Sequence, residues 1–324
     1  MLIGAVLAGV HHAEAIAHQV GEPFGTLLLA VAVTVIETAL IISLMLADGP
    51  GEAALARDTV FAALMIVLNG IVGACLLAGG SKHHEQQFTR YGVSAGLAML
   101  AVLSILTLVL PNFTTSMSGP YYSPAQLVFV ATISLIIYAT FVVAQTVRHR
   151  EYFLHSDVED EREVLAEQFP PLPRGAAIAS GVLLVVALVA VVLLAKALSP
   201  LITAAVASAG APRAVVGIII AALVLLPEGL AAWRAARRNH LQTSLNLALG
   251  SALATIGLTI PAVTVVAMWL DLKLALGLSQ ISTVLLILTL FVTSLSLGTG
   301  RTTVVQGVLH LVLMATFLFT TLVP

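Results

Sequence analysis

The sequence is poor in charged residues and contains a single cysteine. Charged residues make up 9% of its 324 amino acids, and the formal net charge is −2. Soluble domains carry about a quarter charged residues, so this composition excludes an ordinary soluble protein. The slightly negative charge also argues against a nucleic-acid partner. The lone Cys75 excludes a disulfide framework and a thiolate metal cluster.

Apolar runs of about 20 residues fill the chain instead. Hydrophobic residues make up 59% of the sequence, and the mean hydropathy is +1.06. Such runs predict membrane-spanning helices, because a helix satisfies its own backbone in lipid. We therefore predict an all-α polytopic membrane protein with about nine full spans plus a short N-terminal helix. The predicted spans are 1–10, 23–46, 59–79, 92–110, 124–147, 176–198, 213–232, 243–269, 274–297 and 303–323.

The first of these spans is too short to cross a bilayer. We expect Met1 to begin inside a helix whose start is missing. Residues 11–22, where Glu14 and His18 are one helical turn apart, predict a separate helix at the membrane interface. A metal site at Glu14 and His18 is the alternative, although no third ligand stands at suitable spacing.

Basic residues are distributed unevenly between the two sides of the predicted membrane. If successive spans alternate in direction, one set of loops holds 10 of the 14 Lys and Arg residues. These loops lie near 80–91, 148–175, 233–242 and 298–302. Since Lys and Arg accumulate in cytoplasmic loops, we predict that this side is cytoplasmic and that the C-terminus lies outside.

The longest polar stretch divides the predicted spans into two sets of five. An odd number of spans makes the two halves enter the membrane from opposite sides, which is the pattern of an inverted-topology repeat. We predict a first membrane repeat at 1–147, an acidic cytoplasmic linker at 148–175 and a second membrane repeat at 176–324.

Each half carries one charged residue deep inside its second predicted span. Glu37 lies 14 residues past Pro23, and Glu228 lies 15 residues past Arg213. At 1.5 Å per residue, both glutamates are about 20 Å into the membrane. A carboxylate at this depth needs a partner or a hydrated cavity, and no Lys or Arg lies at similar depth. We predict that Glu37 and Glu228 form one ion- and proton-binding site.

Neighbouring polar residues and helix breakers are candidates for supporting this site. Pro227 and Gly229 flank Glu228, and a proline inside a helix frees a backbone carbonyl that can bind a cation. Thr34 precedes Glu37 by one helical turn. The third span of each half offers either oxygen ligands or ordinary interhelical hydrogen bonds. These third-span candidates are Asn69, Ser251 and Thr255.

Three further features have both a structural and a functional interpretation. His310, inside the last span, either relays protons or forms an interhelical hydrogen bond. Arg301 is either a snorkelling side chain at a helix end or a participant in proton transfer. The linker contains an acidic cluster, which is either a solvated helix or a regulatory segment that attracts calcium. The cluster comprises Asp157, Glu159, Asp160, Glu161 and Glu163.

Five short motifs follow one another along nearly the whole chain. They are Gly-Glu-Pro-Phe-Gly at 21–25, Val-Ile-Glu-Thr at 35–38, Leu-Pro-Glu-Gly at 226–229, Gly-Ser-Ala-Leu-Ala-Thr at 250–255 and Gly-Thr-Gly-Arg-Thr at 298–302, followed by His310. Together they resemble the bacterial ChaA-like calcium/proton antiporters of the cation/calcium exchanger superfamily. The resemblance implies one essential glutamate per inverted repeat, at Glu37 and Glu228, and places Ser251 where the superfamily has a serine ligand.

The chain departs from the wider superfamily beside both glutamates. The usual Gly-Asn pair, four and three residues before each glutamate, is replaced by Val33 and Thr34 in the first half. Val224 and Leu225 replace it in the second half, and Ala254 stands where a glutamine is common. The motifs therefore leave the transported ion open among Ca²⁺, Na⁺ and K⁺.

The combined interpretation is a secondary active antiporter that exchanges Ca²⁺ for protons by alternating access. The alternatives are Na⁺/H⁺ or K⁺/H⁺ exchange within the same class and a passive cation channel outside it. An enzyme is disfavoured, because two-carboxylate membrane proteases use aspartates and the chain has no HExxH motif. We expect no cofactor, and we expect the lipid bilayer, inorganic cations and protons as partners. The resemblance implies a multi-pass protein of the bacterial cytoplasmic (inner) membrane.

Overall fold

The protein is a bundle of long helices. A computed structural model describes residues 1–20, 24–48, 54–148 and 174–323. Within these ranges the helices are α1 (Leu2–Val20), α2 (Phe24–Asp48), α3 (Leu55–His83), α4 (Arg90–Asn112), α5 (Pro124–Arg148), α6 (Arg174–Ser208), α7 (Ala214–Arg237), α8 (Leu241–Trp269), α9 (Gln280–Leu297) and α10 (Val304–Leu322). Strands β1 (Gln86–Gln87) and β2 (Arg301–Thr302) form a short antiparallel ribbon.

Eight of these helices, from α3 to α10, are long and apolar enough to cross a membrane, counted over the described residues. The described apolar stretches of α1 and α2 are shorter, at Leu2–Ala13 and Val31–Ser43. The prediction of an all-α polytopic membrane protein is therefore confirmed. Three predicted boundaries are wrong.

The first wrong boundary is the predicted break after residue 10. Helix α1 continues without interruption from Leu2 to Val20, so the predicted short span and interfacial helix are one element. The reason is local, because residues 11–20 contain neither proline nor glycine to stop the helix. The side chains of Glu14 and His18 lie outside the described part of the structure.

The other two wrong boundaries lie in the second half. Helix α6 was expected to end at residue 198, but it continues to Ser208 with Pro200 inside it. It ends where Gly210 adopts a φ of 67° and the N–H of Ala211 bonds to the carbonyl of Val206, a common helix stop. Helix α9 was expected from residue 274, but it begins at Gln280.

The apolar residues before α9 are extended because α4 and the α4–α5 loop of the first half hold their backbone. The N–H of Leu276 bonds to the carbonyl of Pro120, and the N–H of Leu278 bonds to the carbonyl of Leu108. Ser279 then caps α9 by accepting a hydrogen bond from the N–H of Ser282. The apolar run predicted as one span at 274–297 therefore consists of a buried extended segment followed by a helix.

Helix packing follows the pattern of an inverted repeat. Helix α2 of the first half packs against α8 of the second, and α7 of the second half packs against α3 of the first. In the same way, α3 packs against α10, and α8 packs against α5. Each contact maps onto another when the two halves are exchanged, as a repeat with a pseudo-two-fold axis requires. Helices α3 and α8 are the most buried of the eight spans.

The loops repeat this exchange at the two ends of the bundle. At one end, Gln86 of β1 pairs with Thr302 of β2 and joins the α3–α4 loop to the α9–α10 loop. At the other end, a bridge between Tyr121 and Ala275 joins the α4–α5 loop to the α8–α9 loop. The α7–α8 loop lies at the first end, because Lys82 Nζ donates to the carbonyl of Arg237. These three loops were predicted on one side of the membrane, and in the structure they lie at the same end of the bundle.

Candidate ion-binding site

A stripe of hydroxyl side chains runs along one face of α8. Ser251, Thr255 and Thr259 are spaced by four residues, so they lie above one another on the helix. All three are buried. Helices α2 and α7, which carry the predicted site glutamates, both pack against α8. The stripe is therefore available to bind side chains from both halves of the protein.

Glu37 is buried at the contact between α2 and α8, with 1% of its surface exposed. Its Oε2 accepts a hydrogen bond of 2.7 Å from Thr255 Oγ1. Its Oε1 is buried and has no hydrogen-bond partner among the described residues. A buried carboxylate oxygen without a partner is costly, and such an atom is a natural place for a proton or a cation to bind.

Glu228 occupies the corresponding place on α7 and is partly exposed. Its Oε2 accepts a hydrogen bond from the hydroxyl of Ser251. The ion pairs recorded for the described residues lie elsewhere, between Arg57 and Asp58 and between Arg301 and Glu85. Within that part of the chain, the structural alternative of a glutamate neutralised by a basic residue therefore has no support.

The two glutamates are joined through adjacent turns of α8. Ser251 and Thr255 are four residues apart, so their Cα atoms differ by about 6 Å along the helix axis. Thr38 extends the contact, because its Oγ1 lies 3.0 Å from Thr259 Oγ1. Sequence reasoning missed Thr38 and Thr259 as a pair. The four-residue spacing of Ser251, Thr255 and Thr259 could have placed Thr259 on the same helix face as the two site hydroxyls.

The other candidates on α2 and α7 lie close to the glutamates along their helices. Thr34 is buried one turn before Thr38. Pro227 lies inside α7, where it cannot donate to the carbonyl of Leu223. A Cβ atom on Gly229 would lie 3.1 Å from Ile71 Cδ1, so glycine permits close packing of α7 on α3 at the level of Glu228.

Asn69 and His310 lie together in a different polar cluster. Asn69 belongs to the π-helical turn Ile66–Ile71 of α3. Its Nδ2 donates to Thr289 Oγ1 on α9 over 2.9 Å, and its Oδ1 lies 3.3 Å from His310 Nδ1 on α10. No described hydrogen bond joins this cluster to Glu37 or Glu228. Sequence reasoning missed Thr289, although Thr289 and Thr293 form a buried pair one turn apart on α9.

The remaining candidates lie away from the carboxylates. Arg301 is in β2 rather than at a helix end, and its exposed guanidinium lies 3.2 Å from Glu85 Oε1. This ion pair sits on the loop ribbon, where water screens it. The acidic cluster at 157–163 lies outside the described residues.

A string at 92–96, Gly-Val-Ser-Ala-Gly, matches the GxSxG pattern of serine hydrolases, and sequence reasoning overlooked it. The pattern needs a sharp strand-to-helix turn to expose its serine, whereas residues 92–96 lie within the continuous helix α4. This local structure gives no support to a nucleophilic Ser94.

The chemistry of the carboxylate site is that of hard oxygen ligands. Glu37 and Glu228 supply up to four carboxylate oxygens, and Ser251 and Thr255 supply two hydroxyls. Such a set suits Ca²⁺, which takes six to eight oxygen ligands including water. Carboxylates also take up protons, so a cation placed here would compete with protons for the same oxygens.

Comparison with known proteins gives matches over the whole chain. The sodium/calcium exchanger protein family matches residues 1–147 and 179–323. A Sinorhizobium fredii protein, y4hA, named provisionally as an ionic transporter, is 50% identical over 324 residues, which are 100% of this chain and 87% of the relative. The sodium-potassium/proton antiporter ChaA of Escherichia coli is 34% identical over 319 residues, which are 98% of this chain and 86% of ChaA.

Two solved structures share the fold. Native YfkE superposes with a TM-score of 0.72 at 17% identity, covering 100% of this chain and 90% of that chain. The H⁺/Ca²⁺ exchanger CAX superposes with a TM-score of 0.72 at 15% identity, covering 98% of this chain and 79% of that chain. At these identities the likeness establishes the fold of the bundle and does not identify the transported ion.

Proposed function

Because the chain belongs to the sodium/calcium exchanger protein family, we propose that it is an antiporter that exchanges Ca²⁺ for protons at Glu37 and Glu228. The observation that carries this proposal is the pair of hydrogen bonds from α8. Ser251 donates to Glu228, and Thr255, one turn further on, donates to Glu37. A single helix face thus holds one carboxylate from each half at one site.

Exchange follows from competition at these carboxylates. Two ionised carboxylates repel each other in a site with little water, and either protons or a divalent cation removes this repulsion. A carrier that changes its open side only when the site is neutralised moves protons one way and cations the other. Raising the pH is then expected to strengthen cation binding, since fewer protons compete for the same oxygens.

Calcium is the cation that the site chemistry favours. One Ca²⁺ neutralises both carboxylates at once, and the hydroxyls of Ser251 and Thr255 add oxygen ligands. A monovalent cation balances one carboxylate and leaves the other to a proton. Exchange of Na⁺ or K⁺ for protons is the second candidate, because the relative that is 34% identical is named a sodium-potassium/proton antiporter.

The membrane placement belongs to the same proposal. We place the protein in the bacterial cytoplasmic membrane, with the β1–β2 ribbon on the cytoplasmic side and the C-terminus outside. The excess of Lys and Arg on the ribbon side supports this orientation. The end of α3 that carries Lys82 and the end of α7 that carries Arg237 meet at that end of the bundle.

The test is proton-coupled transport by the purified protein in liposomes. A trapped pH dye reports proton movement when Ca²⁺, Na⁺ or K⁺ is added outside, at several pH values. Calcium exchange predicts a proton flux that saturates with Ca²⁺ and whose half-saturating concentration falls as the pH is raised. A flux driven by Na⁺ or K⁺ alone would select the second candidate, and cation entry without proton movement would indicate a channel.

A further inference from the structure

The buried cluster of Asn69, Thr289 and His310 lies outside the carboxylate site and has no part in the exchange chemistry described above. All three residues are fully buried, with no exposed surface. They come from α3, α9 and α10, so the cluster joins the third helix of the first half to the last two helices of the second. A polar side chain costs free energy when it is buried in a membrane protein, and hydrogen bonds only offset that cost. Apolar packing alone therefore does not explain why three helices each place one here.

The hydrogen bonds of the cluster have a defined direction. The amide nitrogen of Asn69 donates to Thr289 Oγ1, so the amide oxygen faces His310 as an acceptor. With the amide in this orientation, Nδ1 of a neutral His310 is the nitrogen that donates to Asn69 Oδ1. Both ends of the Asn69 amide are thereby held, one by α9 and the other by α10.

Asn69, which these two hydrogen bonds hold, lies in the π-helical turn of α3. In this turn the N–H of Val72 bonds to the carbonyl of Val67, five residues back, instead of four. Such turns are rare and persist where the surroundings fix them. Gly73 lets α10 approach, because a Cβ atom there would lie 2.9 Å from His310 Cβ. Asn69 and the close contact at Gly73 together anchor the turn to α10.

The opposite side of the same turn supports the helix that carries Glu228. Ile71, the last residue of the π-helical turn, lies against Gly229, whose added Cβ would be 3.1 Å from Ile71 Cδ1 and 3.2 Å from Ile71 Cγ1. Glu228 is the adjacent residue. A shift of the π-helical turn would therefore move the contact that sets the position of α7 beside the site.

We propose that Asn69, Thr289 and His310 are positioning residues that fix the π-helical turn of α3, hold α7 through the Ile71–Gly229 contact and thereby set the cation affinity at Glu228. This inference rests on the proposed exchange function. Among the described helices that pack on α10, α9 has no titratable residue. The charged residues of α3 and α7 other than Glu228 lie at the helix ends, away from the cluster, and Glu228 lies beyond the π-helical turn.

The first test separates positioning from simple packing by pairing disruptive and conservative variants. His310→Ala and Thr289→Val remove the hydrogen bonds to Asn69. His310→Asn keeps a donor near the place of Nδ1, and Thr289→Ser keeps the hydroxyl. Outer partners of metal ligands change metal affinity by 10–100-fold, so we expect the first two variants to raise the KM for Ca²⁺ by about tenfold with the maximal rate within about twofold. The conservative variants should restore the KM.

The second test addresses the contact between the turn and α7. Gly229→Ala places a methyl group against Ile71 and should raise the KM for Ca²⁺, whereas the double variant Gly229→Ala/Ile71→Ala removes the obstructing atoms and should recover it. Detergent-purified protein of each variant is compared by size-exclusion chromatography, so that only folded material enters the transport assay.

The outcomes separate the two proposals. If the wild type shows no cation-coupled proton flux, the exchange function fails and takes the inference with it. If the wild type exchanges ions but all variants keep its KM, the inference alone is wrong. A loss of folded protein in His310→Ala with a normal KM in the surviving fraction would also overturn it. A shifted pH profile in His310→Asn at unchanged KM would identify a proton relay instead.

Discussion

Thr255 Oγ1 donates a hydrogen bond of 2.7 Å to Glu37 Oε2 and so connects the third helix of the second half to the second helix of the first half. Ser251, one turn earlier on the same face of α8, holds Glu228. The carboxylates thus share one scaffold, although they are 191 positions apart in the sequence (228 minus 37). The repeat symmetry alone does not require this arrangement. Helix α3 is the counterpart of α8 in the first half, and its Asn69 bonds to Thr289 and His310 instead of to a glutamate.

The Thr255 hydroxyl is expected to determine cation affinity. Thr255→Val keeps the shape of the side chain but removes the donor to Oε2, so neither oxygen of Glu37 then has a hydrogen-bond partner among the described side chains. A hydrogen bond to a charged group contributes about 1.5–3 kcal/mol, so the KM for Ca²⁺ should rise by at least about tenfold. Thr255→Ser, which retains the hydroxyl, is the matched control, and transport assays in liposomes measure both.

Thr38 and Thr259 are expected to stabilise the contact between α2 and α8. Their hydroxyl oxygens are 3.0 Å apart and buried. Each single change to valine should lower the free energy of unfolding by about 1 kcal/mol, because it leaves the other hydroxyl without its partner. The double variant should cost less than the sum of the two single variants, as a coupled pair requires. Strict additivity in unfolding by denaturant would show that the pair contributes no interaction.

Gly307 is expected to tolerate no larger side chain. A Cβ atom there would lie 2.5 Å from the backbone nitrogen of Leu77, so Gly307→Ala must push α10 away from α3. Overpacking of this kind costs about 1–3 kcal/mol, which should appear as a lower thermal midpoint. Gly250→Ala is the control, because no atom lies within 4 Å of its added Cβ, and it should leave the midpoint unchanged or raise it.

The proposed orientation is tested by labelling single cysteines. Cys75 is the only cysteine in the chain and is buried, so Cys75→Ala gives a background without thiols. A cysteine at Glu85, on the ribbon side, should react with a membrane-impermeant maleimide only after cells are opened. A cysteine at Ser116, in the α4–α5 loop, should react in intact cells. The reverse pattern would invert the orientation.

Much of the fold was predictable because lipid restricts the choices of a backbone. Runs of about 20 apolar residues predict helices with few alternatives, and the odd number of spans in each half predicts the inverted repeat. The motifs around Glu37 and Glu228 predicted the exchanger family, and the match to ChaA confirms it. One boundary error falls where apolar chain is buried without being helical, before Gln280. The other two fall where a helix continues past the predicted end of its span, in α1 and α6.

The candidate site was predictable in its residue types and only partly in its connections. Burial of a lone charge indicates Glu37 and Glu228, because carboxylates are expensive in hydrocarbon. The partner of each hydroxyl depends on the rotation of its helix and on contacts between halves, which no local pattern specifies. The π-helical turn of α3 rotates Asn69 toward α9 and α10, and the residues 66–71 carry no proline that indicates such a turn.

The most direct test of the account is calcium uptake and proton release measured together in liposomes for Glu37→Gln, Glu228→Gln and Glu85→Gln. Each variant removes one negative charge, but Glu85 lies in an exposed ion pair with Arg301, outside the site. We expect Glu37→Gln and Glu228→Gln to abolish both fluxes and Glu85→Gln to keep both at the wild-type rate. Full coupled exchange by either Glu37→Gln or Glu228→Gln would contradict the central claim that the two carboxylates form the exchange site.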